Sequence, residues 1–305
     1  MQEIKDFRLY YNHTIHPELL RMESRRRRLL FLFFSAVFLI FVLLGVGIYI
    51  DILPVTLFLL IPVGFYFGYI SFRIKKFISR FKPQVISLIL DFIDDSINYG
   101  QLKYNAKKSI SIDDFKNSQI FDTPNLFQGE DYISGKIGEL EFEMSEVFAT
   151  NTNVNKLINH IFHGVFLHCT IPSNIGSVLI VPSANRQFMV KSIQKFCSKG
   201  RINVTDQIDN PIFKKLFLVY ADDDADLSYL LSPRIQDALV NFRNIQKKDI
   251  FVSIIETKIS IAISESENIL EPFILQTNLK FDLIKAFYEN ISTMVNMINA
   301  FDENI

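Results

Sequence analysis

The chain has 305 residues, 49% of them hydrophobic, and 32 Lys and Arg nearly cancel 33 Asp and Glu to give a formal net charge of -1. That balance, with no basic face recurring outside one juxtamembrane region, argues against nucleic acid as a partner. The two cysteines, Cys169 and Cys197, have no CxxC spacing and read as reduced thiols in ordinary packing.

Residues 1–28 place Phe7, Tyr10, Tyr11, Ile15, Leu19, Leu20 and Met22 near helical spacing, with Pro17 interrupting. The pattern predicts a short helix, a break at the proline, and a second helix that runs on into the apolar stretch beyond residue 28. Arg25, Arg26, Arg27 and Arg28 form a basic cluster suited to anionic lipid headgroups, each cation contributing about 1 kcal/mol near a charged leaflet. An orientation signal alone is the simpler and preferred account of the cluster.

Residues 29–72 are apolar apart from Asp51. About 20 apolar residues cross the hydrocarbon core, so this stretch is too long for one span and suits two. The first span runs from Leu29 to Ile50 and the second from Val55 to Phe72, joined through 51–54, where Asp51 is costly in lipid and Pro54 disfavours continued helix. Arginines and lysines flank the outer ends of both spans and the connection has none, which places both termini on the cytoplasmic side of an inner membrane. The apolar run begins too late and lasts too long for a cleaved signal peptide. Gly64 and Gly68 make a small-xxx-small pair, open to hairpin self-packing or to another helix.

Residues 73–100 continue as a connecting amphipathic helix, with Ile74, Phe77, Ile78, Phe81, Val85, Leu88, Ile89, Phe92, Ile93 and Ile97 at three- and four-residue spacing, a kink at Pro83 and closure at Tyr99-Gly100. The remaining 101–305 read as one cytoplasmic α+β domain. A strand fits 104–110, and Ser111 with Asp114 opens a helix through about 120 in capping-box style. After Gly129 the period changes to two, giving a hairpin that turns near Ile137-Gly138. Further strands fit 165–171, 176–181 and 215–221, with a second hairpin over 251–256 and 258–264. Helices fit 187–197, 224–231, 233–246 and 277–300. Without regular βαβ alternation the sheet is expected to be mainly antiparallel. The fold class is thus an N-terminal two-helix transmembrane hairpin plus an α+β cytoplasmic domain.

Chemical candidates are few. Gly129-Glu130-Asp131-Tyr132 sets adjacent carboxylates before a strand, fit for acid–base work or for a cation, although a plain turn is the preferred account of them. His160, His163 and His168 beside Cys169 are metal-type ligands, yet an odd separation puts His163 and His168 on opposite strand faces. Asp222, Asp224 and Asp226 mimic the opening of a calcium loop but lack its glycine and closing glutamate, so they read as a strand end and a helix cap. No nucleophile elbow, phosphate loop or GxGxxG fingerprint occurs. The residues therefore imply no metal site and no cofactor, with Glu130, Asp131 and His163 as the catalytic candidates.

Phe-Arg-Leu-Tyr-Tyr at 7–11, Pro-Glu-Leu-Leu at 17–20, Gly-Glu-Asp-Tyr-Ile-Ser-Gly-Lys-Ile-Gly at 129–138, Phe-His-Gly at 162–164, Phe-Lys-Lys-Leu-Phe-Leu-Val-Tyr-Ala at 213–221 and Tyr-Leu-Leu-Ser-Pro at 229–233 resemble an uncharacterised bacterial membrane family, domain-of-unknown-function family 3137. The resemblance implies a two-span N-terminal part, a cytoplasmic domain and a LemA-type membrane protein as partner. It carries over no activity and no catalytic residues. The function expected is a membrane-anchored interaction module that assembles with itself or with such a partner; the alternative is a membrane-associated enzyme acting on a lipid or small polar substrate through a carboxylate site.

Overall fold

Proline lacks an amide hydrogen and its ring presses on the carbonyl four residues back, so a helix that passes through proline must widen or bend. In the computed structural model, which describes residues 2–94, 99–137, 140–152, 158–172, 174–266 and 274–302, the chain widens. Helix α1 (Gln2–Tyr10) runs through a π-helical turn (Tyr11–Ile15) straight into α2 (His16–Tyr49). The His16 N–H donates to the Tyr11 carbonyl five residues back, which opens the coil just before Pro17. The break expected there is therefore absent.

Helix α3 (Leu53–Asp94) passes through Pro62 and Pro83. Both α2 and α3 are long and apolar enough to cross a membrane, and only 6% and 11% of their most apolar stretches are buried, unlike core helices of soluble proteins. Asp51 closes the bend between them in the left-handed region at φ 59°. Pro54, expected in the connection, stands instead in the first turn of α3, where a missing N–H leaves no bond unmade. The hairpin packs through Phe33 against Phe67, ring centroids 5.1 Å apart, and through Gly47, where any Cβ would collide with Thr56.

The chain divides into two compact units, Met1–Phe92 with Leu270–Ala286, and Ile93–Ile269 with Phe287–Ile305. The first unit ties the start of α2 to the segment after 273. Arg26 Nη1 donates to the Ile274 carbonyl at 2.5 Å and the Tyr11 hydroxyl donates to the Leu279 carbonyl at 2.9 Å. Phe281 packs on Tyr11 at 4.9 Å between centroids, and the Arg8 guanidinium lies over its ring.

The second unit holds nine strands among the described residues: β1 (Tyr99–Asn105), β2 (Leu126–Ile137), β3 (Leu140–Thr152), β4 (Ile158–Thr170), β5 (Ser177–Pro182), β6 (Ile202–Asn203), β7 (Phe217–Ala221), β8 (Ile250–Ile255) and β9 (Lys258–Ser264). They form one sheet in the order β1-β2-β3-β4-β9-β8-β5-β7-β6, and every pairing is antiparallel. Helices α4 (Ile112–Asn117), α5 (Val190–Cys197), α6 (Pro211–Leu216), α7 (Leu227–Leu230), α8 (Pro233–Gln246) and α9 (Phe281–Asp302) complete the chain. Two long apolar N-terminal helices followed by an antiparallel sheet domain with helices bear out the α+β reading.

Some local expectations shift. Tyr99-Gly100 open β1 instead of closing a helix, and the strand expected over 104–110 ends at Asn105. The β2–β3 hairpin closes with Ile137 opposite Leu140, so the turn predicted near Ile137-Gly138 falls partly on residues outside those described. Strand β4 starts seven residues earlier than its predicted start at 165, and α6, unexpected, occupies the start of the predicted 215–221 strand. Asn210 caps α6, accepting from the Ile212 and Phe213 amides, with Pro211 in the first turn. Ser111 caps α4 as expected, and its hydroxyl donates to Asp114 Oδ2 at 2.6 Å.

An aromatic core joins Phe115, Phe121, Phe162, Phe166, Phe196 and Phe251 with Val147, Leu179 and Ala262. Phe121 and Phe162 stack at 4.7 Å and Phe121 meets Phe251 edge-on at 5.0 Å. All six residues of β5 are buried and β8 is buried over five of six, so both faces of the sheet's centre are covered. Gly164, in β4 at φ +150°, passes so close to β9 that a Cβ would strike the Ile263 carbonyl. Gly164→Ala should therefore destabilise the sheet domain by at least about 2 kcal/mol, measured as a lowered denaturation midpoint of the detergent-solubilised chain; an unchanged midpoint would contradict this packing.

Candidate functional site

Strand β2 carries a bulge. Its register against β3 shifts between Glu130 and Ile133, so Asp131 and Tyr132 share the space opposite Ser145, and Asp131 takes φ 58°. The turn expected at Gly129-Glu130-Asp131 is thus a kink inside a strand that already began at Leu126. Gly129 is needed there because a Cβ would meet Ser109 at 2.6 Å. Asp131 donates its amide to the Ala106 carbonyl at 3.4 Å and accepts from the Tyr104 hydroxyl at Oδ1. Burial first, and then that bond to Asp131, push the Tyr104 hydroxyl well above its ordinary range, so it remains a proton donor.

The bulge brings carboxylates together. Glu130 lies directly across from Glu146 of β3, and Glu130, Asp131 and Glu146 each offer an oxygen within 4.8 Å of the others. Glu146 is only 6% exposed. From β4, His163 brings its Nε2 to 3.6 Å from Glu146 Oε1. Glu130, Glu146 and His163 line one pocket of about 340 Å³ together with Gln128, Gly129, Val147 and Phe148. Two of the three catalytic candidates, Glu130 and His163, therefore share a pocket, and Asp131 joins through the carboxylate group. Glu130, Asp131 and Glu146 are the residues able to hold a cation, and the imidazole beside them suits proton transfer.

Sequence reasoning misses Glu146, although a signal for it exists. In β3 the glutamates Glu141 and Glu143 alternate with buried Leu140, Phe142 and Met144; Glu146 falls on the buried phase, where charged side chains are rare.

The histidines do not converge. His168 lines a second pocket of about 260 Å³ with Asp114, Gln119, Glu256 and Lys258. Its Nε2 lies 3.5 Å from Glu143 Oε2 and 3.8 Å from Asp114 Oδ2, while Lys258 Nζ holds Asp114 Oδ1 at 3.0 Å. His160 lies edge-on to Phe148 at 5.6 Å. The aspartates after β7 hold the local backbone. Asp222 accepts from Arg201 Nε at 3.0 Å and from the Ser177 amide at 2.8 Å, and Asp226 caps α7 through the Ser228 and Tyr229 amides.

In the first unit the candidates separate by exposure. Arg25, Arg27 and Arg28 are exposed, whereas Arg26 is buried and grips Glu23 through two bonds of 2.8 and 2.6 Å. That grip holds the Glu23 carboxyl below its ordinary range. Ile50, Val55 and Phe72 at the span boundaries are exposed and Leu29 is half-buried. At Gly64 and Gly68 an added Cβ would meet nothing within 4 Å.

Residues 160–303 match the family described as "Protein of unknown function (DUF3137)", the family that the sequence resembles, over a little under half of the chain. No curated protein matches. Among solved structures, the crystal structure of the mycobacterial trehalose monomycolate transport factor A, TtfA, is similar over 65% of this chain and 88% of that one at 8% identity, with a TM-score of 0.30, a likeness too slight to bear on fold or function.

Burial lowers the His168 imidazole below its ordinary 6.5 against the opposing pull of Asp114 and Glu143. The unfolded chain then takes up this proton more readily than the folded domain, so the stability contribution is complete above about pH 6.5 and is lost as pH falls from there through the folded value. The unfolding free energy measured between pH 7.5 and 5 should decline by up to about 1.4 kcal/mol per pH unit from this group, and His168→Gln should flatten that part of the profile. An unaltered slope in the variant would remove His168 as its source.

Proposed function

We propose that this protein is a membrane-anchored interaction module: a two-span hairpin with both termini on the cytoplasmic side of an inner membrane, whose spans assemble with a second copy of the chain or with a LemA-type membrane protein. The observation that carries the reading is the division of glycines in the hairpin. Gly47 is used internally against Thr56, while Gly45, Gly64 and Gly68 face open space. Hairpin self-packing therefore leaves the Gly64/Gly68 stripe available, and small residues let helix backbones approach closely where packing, not the hydrophobic effect, drives association in lipid. The cation distribution supports the orientation, since Arg25, Arg27, Arg28, Arg73, Lys75, Lys76 and Arg80 flank the outer ends of the spans and the bend carries only Asp51.

A second reading draws support from the pocket. Glu130, Glu146 and His163 line one pocket and Asp131 lies within 4.8 Å of the two glutamates, an arrangement that supports an enzyme working on a lipid or small polar substrate through carboxylates and an imidazole. Interaction and catalysis occupy different units and do not compete.

Gly64→Ile and Gly68→Ile should convert the assembled species to a smaller one in mild detergent, seen by light scattering, without loss of helicity, because the added side chains meet nothing within the hairpin. A wild-type chain that is already monomeric, with no co-purifying membrane protein, would sink the module reading. For the second reading, release of fatty acid or headgroup from mixed phospholipid micelles should fall at least about a hundredfold in Glu146→Gln and His163→Gln; equal release by wild type and both variants, or none by either, would retire it.

A further inference from the structure

Antiparallel helices that touch at two places along their length are fixed in height. In the hairpin, Phe33 meets Phe67 and Gly47 meets Thr56. Continued outward from the bend at 1.5 Å per residue, that register sets Arg28 level with Arg73, Arg25 with Lys76 and Arg21 with Arg80, within about one turn. On α2 these cations are spaced four and three residues apart, and on α3 three and four, so each set lies along a single helix face. All six are exposed. From these heights and faces we infer that the three rungs form a binding belt for anionic glycerophospholipid headgroups, an inference that rests on the membrane-spanning reading of the hairpin.

The belt stands where headgroups are. Leu29 and Phe72 mark the edge of the apolar spans, and the polar layer of a bilayer is about 5–7 Å deep on each side. The lowest rung, Arg28 with Arg73, therefore sits at the hydrocarbon boundary, the middle rung lies within the phosphate layer, and the third stands just beyond it, about 10 Å along the axis. Arg73 carries the mark of that boundary: its guanidinium donates to the Tyr69 hydroxyl at 2.7 Å and lies 5.7 Å from the Tyr69 ring centroid, an interfacial tyrosine beside a snorkelling arginine.

Charge complementarity names the occupant. Helix α3 carries no carboxylate between Leu53 and Asp91, and α2 carries only Glu18 and Glu23. Glu23 is consumed by Arg26 and Arg27, and Glu18 touches only the outermost rung, at 3.4 Å from Arg21. The two inner rungs thus present cations to a layer whose phosphates are the natural counter-charge. Arg26, which the sequence groups with its neighbours, lies outside the belt because it is buried against Glu23 and the Ile274 carbonyl.

The test uses the full chain in nanodiscs of mixed phosphatidylcholine and phosphatidylglycerol, with bound lipid counted by native mass spectrometry. Phosphatidylglycerol should be enriched at least about fivefold over the disc composition at low salt, and Arg25→Gln with Lys76→Gln should bring that enrichment down to roughly the disc composition. The enrichment should fall at 0.5 M salt, to roughly the disc composition, as exposed charges are screened. Lys214→Gln on α6 should leave it unchanged. Equal retention of both lipids by the wild type, an enrichment indifferent to salt, or an undiminished enrichment in the double variant with preserved helicity would overturn the belt. A chain that is retained in discs but shows no preference fails only here, whereas a chain not held in discs at all fails the hairpin reading itself.

Discussion

Side chains in a strand alternate between faces, so a slip of β3 by one residue against its neighbours would turn Glu146 into the aromatic core and Val147 out of it. Everything the sheet domain offers chemically depends on that register. It is held at several points: Ser145 Oγ accepts from the Ile110 amide at 3.1 Å, Gly164 lies opposite Val147 and against the Ile263 carbonyl, and the bulge at Asp131 absorbs the extra residue of β2. With the register fixed, Glu146 and His163 fall on one face while Glu143 and His168 fall on the other. The two pockets are consequences of one alternation.

How far the sequence discloses this differs by element. The pair of long apolar N-terminal helices is legible because apolar runs of that length, bounded by cations and broken only at Asp51, have few alternatives to helix. The β8–β9 hairpin and α8 are legible from clean periods of two and of three to four. Pro17 misleads for a definite reason: proline breaks a regular α-helix, but whether the chain instead inserts one wider turn depends on what the helix gains by continuing, here the packing of Tyr11 and Phe7 on Phe281. The bulge at Asp131 is half legible. Gly and Asp signal an unusual backbone, yet a turn and a bulge use the same residues, and only pairing with β3 distinguishes them. The convergence of Glu146 with Glu130 needs the strand pairing itself, which no local pattern supplies.

The Glu23–Arg26 pair shows how burial redefines a charge. A basic run of four invites a single role for all four residues, but a helix turns through about 100° per residue, so neighbours face different surroundings. Arg26 turns toward the segment at 274 and becomes a structural donor; its partner must be equally buried, because an unpaired ion in that position is costly. Arg27, exposed, reaches the same carboxylate at 3.1 Å. The two remaining arginines of the run keep their charge in solvent, which is the condition for any headgroup contact.

The carboxylate pocket has an internal logic of its own. Two carboxylates 4.8 Å apart repel by about 3 kcal/mol at an effective dielectric near 20, and the strand pairing lets three of them approach within that distance. Positive charge brought into the pocket is therefore favoured, and the His163 imidazole stands 3.6 Å from Glu146. A carboxylate on the buried phase of β3 that also carries Met144, set across from Glu130 and beside His163, is what gives the catalytic reading its weight beside the assembly reading.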